Sequence, residues 1–508
     1  MAKQRRLCCE TKIASAKDGP ASIPGYKTDA RDAPGYRRFI LSSYQEFLAR
    51  KVSIAPPCGF DPDLSRFPEA MKPFQRDIVA WALRRGTAAV FAGTGLGKTL
   101  QQLTWARSVA DHTSGRVMVL APLAVAFQTV KEAEKFGICG IAYAADDDSI
   151  SSDIVVTNYD RRHLFDLSQF AGIVLDESSI IKSQDGKTRS ELMDTAADIP
   201  YRLCCTATPA PNDWTELGQH AEFLGVMSAK EMLAMFFVHE GSIRADPNGE
   251  EWRLKRHAES DFWRWVASWA VMLRSPADLG YDDPGYDLPP LNLHQITVQA
   301  EYRPTSGMLF PTEARTMAER RSVKKESITD RVKAAADLVN AHSDRPWLIW
   351  CDLNAEADAL VSAIDGAVQV QGSDTPEEKA SRLLGFCQSS PRVLVTKPKI
   401  ASFGLNWQHC SDMVFVGLND SFEQLFQAIR RCWRFGQTNP VNVYMIASEL
   451  EGAVVANLRD KERRYDLMAE AMVKHMRDLS TAAIRGGRQV VSEYNPMMKM
   501  ELPTWLSA

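Results

Sequence analysis

Ala88-Ala89-Val90-Phe91-Ala92-Gly93-Thr94-Gly95-Leu96-Gly97-Lys98-Thr99-Leu100 is the stretch on which the fold turns. Residues 88–91 read as a short buried strand, and a helical pattern begins near Leu100. The glycines between them let backbone N–H groups turn inward on phosphates, and the N-terminus of the following helix adds partial positive charge. Lys98 would reach the β- and γ-phosphates, and the Thr99 hydroxyl would ligate Mg²⁺. Gly93, Thr94, Gly95, Leu96, Gly97, Lys98 and Thr99 thus form the expected nucleotide cradle, with ATP and Mg²⁺ as the expected ligands. Ala92 stands where such loops usually carry their first glycine.

Outward from this loop, short β-rich apolar runs alternate with helical ones. The runs are residues 88–91, 117–121, 154–157, 172–175 and 202–205. Runs of this kind, separated by helices, predict parallel strands buried on both faces. The same alternation resumes at residues 347–351, 368–370, 393–396, 413–416 and 441–446. The fold class is therefore α/β, with two doubly wound parallel-sheet lobes. Residues 1–65 read as an irregular arm, 66–227 as the first lobe, 228–300 as a helical insertion and linker, 301–470 as the second lobe and 471–508 as a tail.

A chain of 508 residues is too long for one core, which agrees with two lobes. No apolar stretch is long enough for a transmembrane helix, and the basic N-terminus lacks the apolar run of a signal peptide, so no membrane is expected. A net charge of -4 argues against a surface coated in basic groups but leaves room for a local basic groove. Ten cysteines with no CxxC pair read as reduced thiols in a cytoplasm.

The run 172–175 leads straight into Asp176-Glu177. A buried strand ending in two carboxylates sets them at the C-terminal edge of the sheet, where α/β folds bind ligands. Asp176 can hold Mg²⁺ through water, and Glu177 can orient and deprotonate an attacking water.

These motifs, with several others, resemble superfamily-two helicases, and within them the Swi/Snf-like branch of DNA translocases. The resemblance runs from about Phe74 to Ile446 and implies two RecA-like lobes. Gln75 resembles the adenine-contacting glutamine ahead of the phosphate loop. Leu120-Ala121-Pro122 and Thr157-Asn158-Tyr159 resemble segments that contact the DNA backbone, and Thr206-Ala207-Thr208-Pro209 resembles the motif that links hydrolysis to DNA grip. Gly404-Leu405-Asn406 resembles the fifth motif. Gln427-Ala428-Ile429-Arg430-Arg431-Cys432-Trp433-Arg434-Phe435-Gly436-Gln437 resembles the sixth, Gln-x-x-x-Arg-x-x-Arg-x-Gly-Gln. The resemblance implies nucleotide contacts from Gln75, Gly404 and Gln427, and arginine fingers at Arg431 and Arg434. It implies nucleic-acid contacts from Pro122, Thr157, Thr208 and Asn406. A guanidinium supplied across a cleft would stabilise the phosphoryl-transfer transition state by roughly 10³- to 10⁵-fold.

Two departures stand out. The acidic pair is followed by Ser178-Ser179, where relatives carry Ala-His or similar; Lys182 still matches. The Trp-Asn-Pro that usually precedes the sixth motif is Asp420-Ser421-Phe422. In its compactness the chain looks most like the small helicases of bacteriophages and prophages, which would place it in a bacterial host cytoplasm.

Two basic clusters add candidate DNA contacts. Arg253, Lys255, Arg256 and Arg264 lie among Trp252, Trp263, Trp265 and Trp269, and Arg315, Arg320, Arg321, Lys324 and Lys325 form a run. The competing assignment makes the tryptophans helix core and the charges a solvated face. The leading expectation is a nucleic-acid-dependent ATPase that moves along duplex DNA through sequence-nonspecific backbone contacts. The alternatives are an RNA helicase of the same superfamily, the motor subunit of a nuclease or restriction complex, and a non-catalytic nucleic-acid binder. The arm and the tail are the candidate docking segments for a protein partner.

Overall fold

The computed structural model describes residues 57–182, 187–239, 252–299, 324–401, 406–418, 421–449 and 452–484. The arm before residue 57, Gly404, the basic run through Arg315, Arg320 and Arg321, and the end of the tail lie outside them.

Seven strands build the first sheet: β1 (Thr87–Ala92), β2 (Arg116–Ala121), β3 (Ile141–Tyr143), β4 (Ile154–Asn158), β5 (Phe170–Asp176), β6 (Tyr201–Thr206) and, after a two-stranded β7–β8 hairpin (Phe237–His239, Trp252–Leu254), β9 (Ala270–Leu273). All seven run parallel, in the order β3-β4-β2-β5-β6-β1-β9. Parallel neighbours need crossover helices, and those helices cover the faces. This explains why β1, β2, β4 and β5 read as continuous apolar runs rather than alternating ones. The order sets β5, β6 and β1 side by side, with Asp176 level with Cys205 and Phe91 level with Thr206. Three chain segments distant in sequence therefore end at one edge.

The second sheet is also parallel, with β10 (Leu291–Val298), β11 (Trp347–Trp350), β12 (Ala367–Gln369), β13 (Val393–Thr396), β14 (Asp412–Phe415) and β15 (Val441–Ser448). Its order is β10-β15-β14-β11-β13-β12. The molecule thus has two RecA-like α/β lobes, the fold class expected.

The stretch 228–300 is more than helices and a linker. Its residues 270–273 form β9, paired with β1 from Ala89↔Ala270 to Ala92↔Leu273. Its residues 291–298 form β10, which pairs with β15 over eight positions from Leu291↔Val441 to Val298↔Ser448. Both were hidden for physical reasons. β9 is four residues directly after a helix, and β10 is an edge strand whose side chains are mostly exposed. Three of the four tryptophans settle as core: Trp263 and Trp269 are fully buried and Trp265 nearly so, while Trp252 is half-buried.

A single helix, Gly452–Ile484, runs through residue 470, the expected end of the second lobe. It returns to the first lobe, packing on helix Glu259–Ala267 and on β9, and Tyr465 donates its hydroxyl to Ala207 O at 2.9 Å. Among the described residues no helix is long and apolar enough to cross a membrane.

One buried ion pair organises the second lobe. Arg331 and Glu356 are both fully buried, with Nη1 and Oε1 2.5 Å apart. Arg331 also donates to Ser327 Oγ and to Val416 O, while Glu356 Oε2 accepts from the Asp352 and Leu353 amides at 2.9 Å. A buried charge pair is tolerated only when such hydrogen bonds fill its remaining valences.

Candidate nucleotide cleft

β1 runs into the phosphate loop, and helix Lys98–Thr113 leaves it. Gly95 (φ 91) and Gly97 (φ 77) take left-handed backbone that a Cβ would strain. Each glycine is also closely packed. A Cβ at Gly97 would lie 2.3 Å from Gln75 Nε2, and one at Gly95 would meet the Phe435 backbone nitrogen at 3.1 Å. Lys98 Nζ donates to Ala92 O at 2.9 Å, holding the ammonium at the loop.

Gln75 is buried and both ends of its amide are bonded within the protein. Its Oε1 accepts from the Lys72 amide and its Nε2 donates to Leu96 O, both at 2.9 Å. The side chain thereby pins helix Pro73–Arg85 to the loop.

Asp176 ends β5, and its Oδ1 accepts from Gln102 Nε2 at 2.7 Å and from the Glu177 amide at 3.2 Å. Burial first, then the neighbouring Glu177 charge, pushes its carboxyl up to about 6, while Gln102 and Lys98 pull the other way. A buried carboxylate held against its own desolvation favours a cation nearby. Asp176 and the Thr99 hydroxyl, half-buried on the neighbouring helix, therefore fit the hard-oxygen donor set Mg²⁺ takes. Glu177 stands in left-handed backbone (φ 54), rare for a residue with a side chain and costing about 1–3 kcal/mol. Its Oε2 accepts from Thr206 Oγ1 at 3.2 Å. Such local strain where three strand ends meet marks the position as one where the side chain's aim matters.

The serines that follow have separate partners. Ser178 Oγ lies 3.1 Å from Nε2 of the buried His220, whose ring burial pulls down to about 4, so it is neutral near pH 7. Ser179 does not replace a histidine within the first lobe. It donates across the cleft to Glu423 Oε1 at 2.6 Å, and Lys182 pairs with Glu423 Oε2.

The sixth-motif segment closes over this edge from the second lobe. Gln427 is buried on helix Phe422–Ile429. Arg431 is buried and lies in the field of Glu177: burial and Arg434 draw its guanidinium down to about 9, and Glu177 draws it back up. Arg434 is half-buried, with burial lowering it and Glu132 of the first lobe raising it. Phe435 rests on Gly95 and on Tyr286, whose ring is 4.6 Å away. Gln437 serves the turn itself, donating to Cys410 O and Cys432 O and accepting from the Thr438 and Asn439 amides.

Residues 72–217 match the DEAD/DEAH box helicase family model.

That match covers the phosphate loop, the acidic pair and Thr206–Thr208 but stops before the second lobe. Over 418 residues the chain is 24% identical to the DNA annealing helicase and endonuclease ZRANB3 of Mus musculus, covering 74% of this chain and 38% of that protein. The chain thus spans well under half the length of this relative. Among solved structures it is similar to the Sulfolobus solfataricus SWI2/SNF2 ATPase core in complex with dsDNA, at 16% identity and a TM-score of 0.37, over 85% of this chain and 98% of that one.

The residues expected to touch nucleic acid divide. Pro122 is half-buried at the head of helix Leu123–Lys135, and Asn406 is exposed. Thr157 and Thr208 have no exposure, and none of the described residues hydrogen-bonds their hydroxyls. In this conformation neither hydroxyl can reach a phosphate. The basic clusters are partly committed within the protein. Lys255 Nζ donates to Ala234 O and Met235 O, Arg264 pairs with Asp261 at 3.1 Å, and Lys324 pairs with Asp352 at 2.9 Å; Arg256 and Lys325 remain exposed.

Gln102, His220, Glu423 and Phe435 were missed in the sequence. Gln102 alone had a signal, being one helical turn after Lys98 and so on the same face.

Proposed function

We propose that this chain is an ATP-driven DNA translocase, hydrolysing ATP between its two lobes and moving along duplex DNA without reading its sequence. The observation that carries this reading is the buried Arg431 of the second lobe, brought to the acidic loop of the first on a segment that Ser179 and Lys182 hold through Glu423. A base and a cation brought together only when two lobes meet make closure a condition of hydrolysis.

Each group has a defined part. The loop amides and Lys98 hold the phosphates. Thr99 and Asp176 would hold Mg²⁺, which would supply neutralisation of the phosphate charge. Glu177, aimed by its left-handed backbone and by Thr206, takes a proton from the attacking water. Arg431, with Arg434 beside it, offsets the charge that builds on the transferring phosphoryl. Separation of the lobes after hydrolysis removes Arg431 and resets the cleft, which turns turnover into relative motion.

DNA as the track is supported by the name of the mouse relative, a DNA annealing helicase. Backbone contact through the Pro122 segment and Asn406 would make binding salt-sensitive and indifferent to sequence. Steady-state ATP turnover without nucleic acid, with single strands, with duplex DNA and with RNA tests this reading. Duplex DNA should stimulate most, and Lys98→Ala should be inert throughout. Turnover raised only by RNA would transfer the reading to an RNA helicase, and absence of turnover in all four would refute it.

A further inference from the structure

We infer that Glu423 is an interlobe latch, a positioning residue that sets the acidic loop of the first lobe against the arginine-bearing helix of the second. The inference rests on the cleft being the place of ATP hydrolysis.

Both oxygens of the Glu423 carboxylate are used, and both reach across the cleft. Oε1 accepts from Ser179 Oγ at 2.6 Å and Oε2 pairs with Lys182. Ser179 lies two residues after Glu177, and Lys182 closes the short helical turn Ser178–Ile181 that Glu177 begins. Glu423 stands in the first turn of helix Phe422–Ile429, one turn before Gln427, and that helix ends at Arg430, next to Arg431. One carboxylate therefore fixes the distance between the base and the cation it must face. The partners are 244 and 241 residues apart, so only lobe closure joins them.

Local roles do not account for Glu423. The helix cap is supplied by Ser421, whose side chain accepts from the Gln424 amide. A negative charge is favoured near a helix N-terminus, but that does not require the Glu423 side chain to point at the other lobe. The environment also suits a reversible latch. Ser179 is 3% exposed, whereas the side chains of Glu423 and Lys182 are 16% and 29% exposed. A fully exposed pair is worth little, and a fully buried one would not release. A half-shielded carboxylate shared by a hydroxyl and an ammonium is strong enough to register closure and weak enough to break each cycle. Since a misplacement of about 1 Å can cost roughly a hundredfold in rate, a contact that sets this spacing acts on turnover rather than on binding.

The test compares the full chain with Glu423→Gln, Glu423→Lys, Lys182→Glu and the double exchange Lys182→Glu/Glu423→Lys. Three quantities are read: turnover with duplex DNA, affinity for a fluorescent ATP analogue, and the radius of gyration by small-angle scattering. Each single reversal should lower kcat roughly tenfold, leave nucleotide affinity within about twofold, and enlarge the radius. Glu423→Gln, which keeps an acceptor for Ser179 but no charge, should fall between. The double exchange should regain most of the lost rate and the smaller radius. Single reversals that leave kcat and radius untouched would overturn the latch, as would a double exchange that restores neither. A wild-type chain with no turnover would refute the ATPase reading instead, and the latch would then stand or fall on the radius alone.

Discussion

Gln102 Nε2 donates to Asp176 Oδ1 at 2.7 Å, joining the helix after the phosphate loop to the end of the strand that carries the acidic pair. This bond stabilises the ionised form of a carboxyl that burial has pushed up to about 6. At limiting Mg²⁺ turnover should therefore fall as pH drops through about 6, because a protonated Asp176 cannot take up the ion. Removing the donor in Gln102→Leu should move that acid limb upward by about one unit, the worth of one charge-assisted hydrogen bond. A pH–rate profile of both proteins checks this, and coincident acid limbs would count against it.

The same carboxyl makes a stability prediction of definite sign. Its folded-state value lies above the ordinary Asp value of 3.8, so folding disfavours the ionised form. The stability this protects is present below pH 4 and is lost as pH rises through about 6. Asp176→Asn should thus be more stable than the parent at pH 8, on the order of 1–3 kcal/mol, with no difference near pH 4. Thermal or denaturant unfolding at the two pH values decides it.

Glu177→Gln should bind ATP as the parent does and cease to hydrolyse it, because the substitution removes the base and leaves Asp176 in place. Binding of a fluorescent analogue together with phosphate release gives both quantities. Retained hydrolysis would show that the proton goes elsewhere.

Arg431→Ala should slow kcat by roughly 10³-fold or more, with a far smaller loss of nucleotide affinity, since its charge acts on the transition state. Arg434→Ala should follow with a smaller loss, because Arg434 also answers to Glu132 of the first lobe. Equal losses of kcat and affinity at Arg431 would mark it as a ground-state contact.

How much of this was legible depended on whether chemistry was contiguous with a strand. The phosphate loop and Asp176-Glu177 were readable because each continues directly from an apolar run, so the end of β1 or β5 announces the position. Gln102 and Asp176 are 74 residues apart and meet only because β5, β6 and β1 are neighbours, an order no local pattern states. His220 was silent because it comes from helix Leu217–Phe223, a stretch with no motif near the expected end of the first lobe. β9 was too short to show a period, and β10 spends its alternation on an exposed edge. Thr157 and Thr208 came from resemblance alone. Resemblance locates a segment without fixing which of its atoms face solvent in a given conformation.

Arg331→Leu should destabilise the second lobe by about 3–5 kcal/mol, since it strands the buried Glu356 carboxylate. Arg331→Met/Glu356→Leu should recover most of that loss, because removing both charges also removes their desolvation cost. Denaturant titration of the two variants separates a strained pair from a replaceable one.

Motion along duplex DNA would displace a third strand from a DNA triplex. Addition of ATP should release the third strand from a duplex track, and Lys98→Ala should release none. Strong duplex-stimulated hydrolysis without ATP-dependent displacement would contradict translocation, leaving an ATPase that grips DNA but does not travel.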